Sequence, residues 1–445
     1  MKPFRLLPLF AAVSAALALP VQAQSLVDLY ESARGFDASY QSSKSLYDAT
    51  LAKADQAKAL ILPSANLAAG VSRSTEEYIP DTGPNRTNYA YGTQNATVSA
   101  SQPLYRPGNW AGYKQGIKQV DLAQAQFSAA DQDLIVRVSQ GYFDVLAAQD
   151  SLTFVQAQKA AVAEQLASAK RNFEVGTSTI TDTREAQARY DLVIAQEIAA
   201  ENDLRVKKIA LDQLVGKNEA QPKPLAQPLI LPALLPNDVN VWVQQSEPDH
   251  PSIKQSQFAL DVAQLETQKA EAGHKPTLDL AASYSAINNL DGTSTPGSLS
   301  SRVNAGSIGL VFNLPLFAGF STQNRIRETL ALEEKARNDL EGAKRAVAQS
   351  TRTAFFGVLS GQGQVKALEA AEASSQSALD ANKLGYQVGV RINIDVLNSQ
   401  SQLFQTKRDL AKARYDVLVG GLKLRQANGT LKADDLQSVN ALLVK

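Results

Sequence analysis

The chain repeats itself once, and that repeat limits the folds open to it. Leu62-Pro63-Ser64-Ala65-Asn66-Leu67 is answered by Lys275-Pro276-Thr277-Leu278-Asp279-Leu280, about 213 residues later. Phe143-Asp144-Val145-Leu146 returns as Phe356-Gly357-Val358-Leu359, Gln149 as Gln362, Val175-Gly176 as Val388-Gly389 and Asp182 as Asp395. The register drifts by one residue where Gln102-Pro103-Leu104-Tyr105 meets Leu314-Pro315-Leu316-Phe317. Each copy is far longer than the ~20–50 residues of a stacked solenoid unit, so the pattern is a duplication of one large element. Pro222, Pro224, Pro228, Pro232 and Pro236 interrupt any helix between the copies. The expected division is a first repeat over 24–221, a linker over 222–236 and a second repeat over 237–445.

Two periods alternate inside each copy. From about Arg106 to Asn172 the only proline is Pro107, suited to a first helical turn, and helix formers dominate. One helix over that stretch would reach roughly 100 Å. Val120, Phe127 and Leu134 fall seven apart, as do Val138, Val145 and Leu152, which is a coiled-coil seam. Leu340, Val347, Val358, Val365 and Leu368 carry the seam in the second copy. Val175-Gly176-Thr177 and Val388-Gly389-Val390 break these helices, and a second polar helix follows each break, so two long helical hairpins are predicted. A glycine there permits the left-handed backbone of a helix C-terminus.

The second period is two. Ala65, Leu67, Ala69 and Val71 alternate with polar or small residues, and Leu278, Leu280, Ala282 and Tyr284 do the same. Partner strands are predicted over Asn95–Leu104 and Ser307–Leu316, with loops over Tyr78–Tyr91 and Ser285–Ser301. Strands of about ten residues, apolar on one face and small-polar on the other, fit an outer-membrane barrel wall. Four of them cannot close, because open sheet edges are not tolerated in lipid. Two chains would give a side-chain-filled barrel of eight strands, and three a barrel of twelve with an opening.

Composition supports export and removes most chemistry. Lys2 and Arg5, the apolar run Leu6–Leu19 and Val21-Gln22-Ala23 have the order of a signal peptide, cleaved after Ala23. Without it the charge is 42 basic against 44 acidic side chains, from 44 against 44 in the whole chain, which gives no excess for nucleic acid. With no cysteine, thiol and zinc-cluster chemistry are out, two lone histidines leave little for a metalloenzyme or a Ser-His-Asp triad, and no cofactor is called for. His250, before Pro251, and His274, ahead of the third strand, read as structural. Asp238 and Glu247 read as solvated helix carboxylates, and Trp110 with the loop tyrosines as an interfacial girdle.

These residues together resemble the TolC family of outer-membrane export channels across essentially the whole mature chain. The resemblance is carried by the strand starts at Pro63 and Pro276, the Gln-Pro-Leu-Tyr and Leu-Pro-Leu-Phe strand ends, Arg171-Asn-Phe-Glu-Val-Gly176, and Gly385-Tyr-Gln-Val-Gly-Val-Arg-Ile-Asn-Ile-Asp395-Val-Leu. It implies an α+β membrane protein. A homotrimer would form a 12-stranded outer-membrane β-barrel, continued by a long periplasmic α-helical coiled-coil barrel with a mixed equatorial region near the linker. The implied partners are a periplasmic membrane-fusion adaptor protein, an inner-membrane pump of proton-driven or ABC type, and the lipid bilayer, for drug efflux or type I secretion. The adaptor would dock at Val175, Gly176, Thr177, Val388, Gly389 and Val390. The periplasmic gate would hold a ring of Asp395. The family's second aspartate position is Asn398 here, which lowers the ring charge from about six to three and should attract cations less. Tyr386 and Arg391 would bond to Thr181 and Asp182 in the closed state. Gln165 matches a further link whose glutamate position is Lys383. The alternative of another class is a soluble periplasmic coiled-coil adaptor or scaffold, which would need the hairpins but not the alternating strands.

Overall fold

The computed structural model describes residues 23–79, 81, 83 and 86–444, so the expected signal segment up to residue 22 lies outside the described residues. Two compact units emerge, each drawing on both copies. One takes the described residues up to 44 with 127–253 and 344–444, the other 45–126 with 254–343.

The second of these units carries the sheet. Its strands are β1 (Ser64–Tyr78), β2 (Thr87–Tyr105), β3 (Thr277–Leu290) and β4 (Ser301–Asn313). They pair antiparallel in the order β1-β2-β3-β4, so each copy supplies one hairpin and the two hairpins share the β2–β3 seam. The register puts Leu67, Val98, Tyr284 and Gly306 in one row and Ala65, Ala100, Ala282 and Ile308 in the next, all on one face. Asn66, Ser99, Ser283 and Ser307 form a row on the other face, where the Ser283 and Ser307 hydroxyls lie 2.9 Å apart. Leu67 is 71% exposed and Ile308 77%. A soluble sheet would bury such a face.

The strands run longer than apolar alternation predicts. Tyr89 and Tyr91, expected in a loop of the interfacial girdle, lie within β2, and both hydroxyls donate to Glu76 on the polar face, at 2.8 and 2.9 Å. The connections shrink to 79–86 and 291–300, and β4 starts at Ser301 but stops at Asn313, before the expected Leu316. Trp110 stays half exposed one turn beyond β2, consistent with an interfacial place.

The other unit is helical, and helices also run into the sheet-bearing unit. α1 (Leu26–Phe36), α2 (Ala38–Ala59), α3 (Pro107–Glu174), α4 (Ile180–Val215), α5 (Val239–Asp249), α6 (Pro251–Glu271), α7 (Ser321–Gln387), α8 (Asn393–Ala427) and α9 (Asp435–Asn440) are the α-helices among the described residues. α3 and α7 have 68 and 67 residues, and Pro107 sits where its missing N–H costs nothing. Leu134, Val138, Val145, Leu340, Val347, Val358 and Val365 of the predicted seams are buried.

The largest core gathers Leu26, Leu29, Tyr30, Leu134, Tyr142, Phe143, Leu211, Tyr415, Leu418 and Leu436 from α1, α3, α4, α8 and α9. The proline-rich segment closes it: Gln24 bridges Pro222 and Leu225 bridges Leu443, while the Tyr142 hydroxyl donates to the Lys223 carbonyl at 2.9 Å. Within the same unit Arg137 grips Asp37 with two nitrogens at 2.9 and 3.0 Å, and that guanidinium holds the buried Asp37 carboxyl below its ordinary range. His250 acts locally, its Nδ1 accepting the Ser252 N–H at 3.1 Å, and burial lowers its pKa.

Neighbouring residues of β4 should respond oppositely to a charge. Ile308→Arg, on the apolar face, should cost about 2–4 kcal/mol if that face meets hydrocarbon and deplete assembled protein from membranes. Ser307→Arg should assemble normally and change conductance. Equal assembly of the two variants, read by membrane fractionation, would contradict the facing.

Candidate gate at the hairpin tips

The two hairpins reverse by one device used twice. At the end of α3 the Gly176 N–H donates to the Phe173 carbonyl at 3.0 Å and Thr177 to Asn172 at 2.8 Å. At the end of α7 Gly389 donates to Tyr386 at 3.1 Å and Val390 to Gly385 at 2.9 Å. Both glycines have φ near +80°, at +79° and +76°, which a side chain would strain, and both ends are Schellman caps. Capping needs no apolar residue beside the glycine, yet Val175, Val388 and Val390 are left 72, 66 and 79% exposed.

One turn later the copies diverge. In the first, Thr179 caps α4 by accepting the Asp182 N–H, and the Asp182 carboxylate accepts from the Thr179 N–H at 3.0 Å, the Thr179 hydroxyl at 2.9 Å and the Ser178 hydroxyl at 2.7 Å. Burial pushes this carboxyl up, but the Ser178 and Thr179 bonds outweigh it and hold the pKa below its usual value. In the second copy Ile392 replaces Thr179 and Arg391 replaces Ser178, so α8 has no side-chain cap. Asp395 is thereby uncommitted and faces Arg391 across 3.7 Å, both partly exposed. Such a pair is worth at most about 1 kcal/mol.

Several contacts tie the hairpins together. Gln165 Nε2 donates to Asn393 Oδ1 at 2.5 Å, and the fully buried Asn393 donates onward to the Asp182 backbone carbonyl at 3.2 Å. Asn172 Nδ2 donates to the Tyr386 hydroxyl oxygen at 3.3 Å, and an Arg189 nitrogen donates to Asn398 Oδ1 at 2.7 Å. Leu397 packs among Val155, Val162, Leu166, Ala169, Ala186 and Val193, while Tyr386 lies against Leu379, Val396 and Leu403.

The resemblance placed Tyr386 and Arg391 on Thr181 and Asp182. Within one chain that link is not made, because the cap occupies the Asp182 carboxylate, Thr181 is exposed, and Tyr386 and Arg391 meet Asn172 and Asp395 instead. Gln165 finds Asn393 rather than position 383. Asn172, Arg189 and Asn393 were not singled out from sequence. Asn393 left one signal, a polar residue where the first copy has Ile180.

Comparison with known proteins gives the family. The model described as "Outer membrane efflux protein" matches residues 29–217 and again 242–430, one match per copy. The chain belongs to the outer membrane efflux protein family. Outer membrane protein TolC of Vibrio cholerae is 33% identical over 98% of this chain and 98% of its own. Alkaline protease secretion protein AprF of Pseudomonas aeruginosa is 30% identical over 98% of this chain and 91% of its own. A crystal structure of CusC superposes with a TM-score of 0.77 at 18% identity, covering 92% of each chain.

In this family three chains close a 12-stranded barrel, four strands from each, and the helical part is periplasmic. The chain is thus an outer-membrane exit duct of the efflux and type I secretion class, and the soluble-scaffold alternative is set aside. The family is one of transport ducts, not of enzymes.

Asn393→Ala should remove both partly buried inter-hairpin bonds at once. Losing two partly buried bonds, at ~0.5–1.5 kcal/mol each, should cost about 1–3 kcal/mol. Amide exchange in the first turns of α4 and α8 should then accelerate roughly tenfold or more, since 1.4 kcal/mol is tenfold. Unchanged protection in both turns would show that the apolar contacts alone hold the tips.

Proposed function

We propose that the paired tips are the periplasmic gate of this duct and the place where an adaptor docks, with Asp395 lining the constriction. The observation that carries the reading is the divergence of the copies, which binds Asp182 into a cap and leaves Asp395 free beside Arg391. Three-fold symmetry turns one free carboxylate into a ring that attracts cations, while Asn398, engaged by Arg189, adds no charge. Gln165, Tyr386 and the Asp182 backbone belong to the contacts that hold the gate within one chain, and the exposed Thr181 and Arg391 are left for the neighbouring protomer. In this reading the chain catalyses no reaction. Residues 1–23 are the export signal, and the repeats at 24–221 and 237–445 flank the 222–236 linker.

An adaptor offers the exposed Val175, Val388 and Val390 a surface that helix capping alone does not require. Through it an inner-membrane pump, proton-driven or ABC type, delivers cargo to the duct. The relatives AprF and PrtF are named for protease secretion and SepC for probable efflux, so the partners set the cargo.

Planar-bilayer recording tests the gate. Tyr386→Phe with Arg391→Ser should raise single-channel conductance severalfold. Block by a trivalent cation from the periplasmic side should be weaker than in a two-aspartate relative and vanish in Asp395→Asn. Unchanged conductance and unchanged block would remove the gate assignment.

The docking reading makes a separate demand. Val175→Asp with Val388→Asp should abolish export while leaving trimer mass and bilayer conductance intact. Export at the normal rate would place the adaptor elsewhere.

A further inference from the structure

The strands segregate charge by face. Glu76 and Asp279 lie on the polar face, Glu76 held by Tyr89 and Tyr91, Asp279 by Arg106. The apolar face carries Arg73, Glu77 and Arg302, of which Glu77 pairs with Arg86 at 3.4 Å. Arg73 and Arg302 are exposed, and among the described residues neither has a carboxylate partner.

Both stand at the loop end of the sheet. Val71, Gln94, Asn288 and Arg302 share one row, Asn288 donating to Gln94 at 3.3 Å, and Arg73 lies one side-chain step further out. Below them the face is Ala69, Ala96 and Ala286, then Leu67, Val98 and Tyr284, and finally Leu278, Leu280, Ile308, Leu310 and Phe312. From Phe312 to Arg302 the strand advances roughly 33 Å at 3.3 Å per residue. With a tilt of 35–45° that is a height of about 25 Å, the thickness of an outer-membrane barrel's apolar band. Arg302 therefore sits where hydrocarbon ends. The 79–86 and 291–300 loops join the strands at that end, opposite the ends that lead to helices, so it is the external end.

We propose that Arg73 and Arg302 form a phosphate-binding belt on the lipid-facing wall, occupied by the phosphorylated headgroup of an anionic outer-leaflet lipid. The proposal rests on the membrane placement of the sheet and is independent of the gate. Charge complementarity selects the occupant. A guanidinium offers paired donors matched to phosphate oxygens, and near the low-dielectric boundary such bonds are stronger than in water. The amides of Gln94, Asn288 and Asn304 on the same face supply donors around it. Arg73 is on β1 and Arg302 on β4, the two strands with an unpaired edge within one chain. In the closed wall every seam between protomers is thus flanked by one arginine from each side, and a headgroup there would bridge subunits.

The full-length trimer in nanodiscs, examined by native mass spectrometry with a bis-phosphorylated disaccharide lipid and the same lipid stripped of phosphate, tests this. The wild type should retain the phosphorylated lipid about tenfold more than the stripped one. Arg73→Gln with Arg302→Gln should erase that preference, Arg73→Lys with Arg302→Lys should keep part of it, and free inorganic phosphate at millimolar concentration should not compete. No preference in the wild type, which needs no variant to fold, would overturn the proposal. So would an undiminished preference in the double glutamine variant, or displacement by free phosphate. Single-channel conductance of the same discs reports the duct separately.

Discussion

The unpaired outer edges of β1 and β4 are the constraint on which the rest of the chain depends. Among the described residues each edge presents a row of N–H and C=O groups with no strand partner. In hydrocarbon each unsatisfied group costs several kcal/mol, so a single chain cannot hold this sheet in a membrane. Closure with two more chains satisfies both edges, and the opening of a twelve-stranded wall then explains the polar face. Rows such as Asn66, Ser99, Ser283 and Ser307 carry small side chains that leave a lumen open, where bulkier ones would fill it.

Duplication supplies the symmetry, and divergence supplies the chemistry. Backbone devices survive in both copies, as the matched Schellman caps at Gly176 and Gly389 demonstrate. Side-chain chemistry is not bound in that way. Replacing Ser178 and Thr179 by Arg391 and Ile392 costs one helix a cap of about 1 kcal/mol and frees a carboxylate. A duplicated chain can tolerate that loss in one copy, because Leu397 and Asn393 anchor the uncapped helix to the other hairpin.

How much was legible in the sequence follows from range. Helix extents and the glycine caps depend on residues within a turn or two, and they were readable to within a few positions. The strand stripes were readable only inside the apolar band. Beyond it, Arg73, Gln94, Asn288 and Arg302 make the lipid-facing side polar as well, so the alternation fades while the pairing continues, and true strand reads as loop. Tyr89 and Tyr91 were misplaced for that reason. The inter-hairpin contacts are the opposite case. Gln165–Asn393 and Arg189–Asn398 join residues more than 200 positions apart, and their partners are set by the relative register of two packed helices, which no local pattern encodes.

Those contacts also divide the work at the tips. The Arg391–Asp395 pair is local to the second hairpin, four residues apart and partly exposed, so it does not bind the two hairpins together. The buried Asn393 amide cannot exchange its partners for water without the tips parting, and Leu397 loses its apolar neighbours in the same movement. The buried part of the cohesion therefore comes from groups that carry no charge, and Arg189 adds an exposed bond to Asn398. On the gate reading Asp395 is left to act on what passes: three carboxylates draw cations to the constriction, and the neighbouring guanidiniums offset part of that charge.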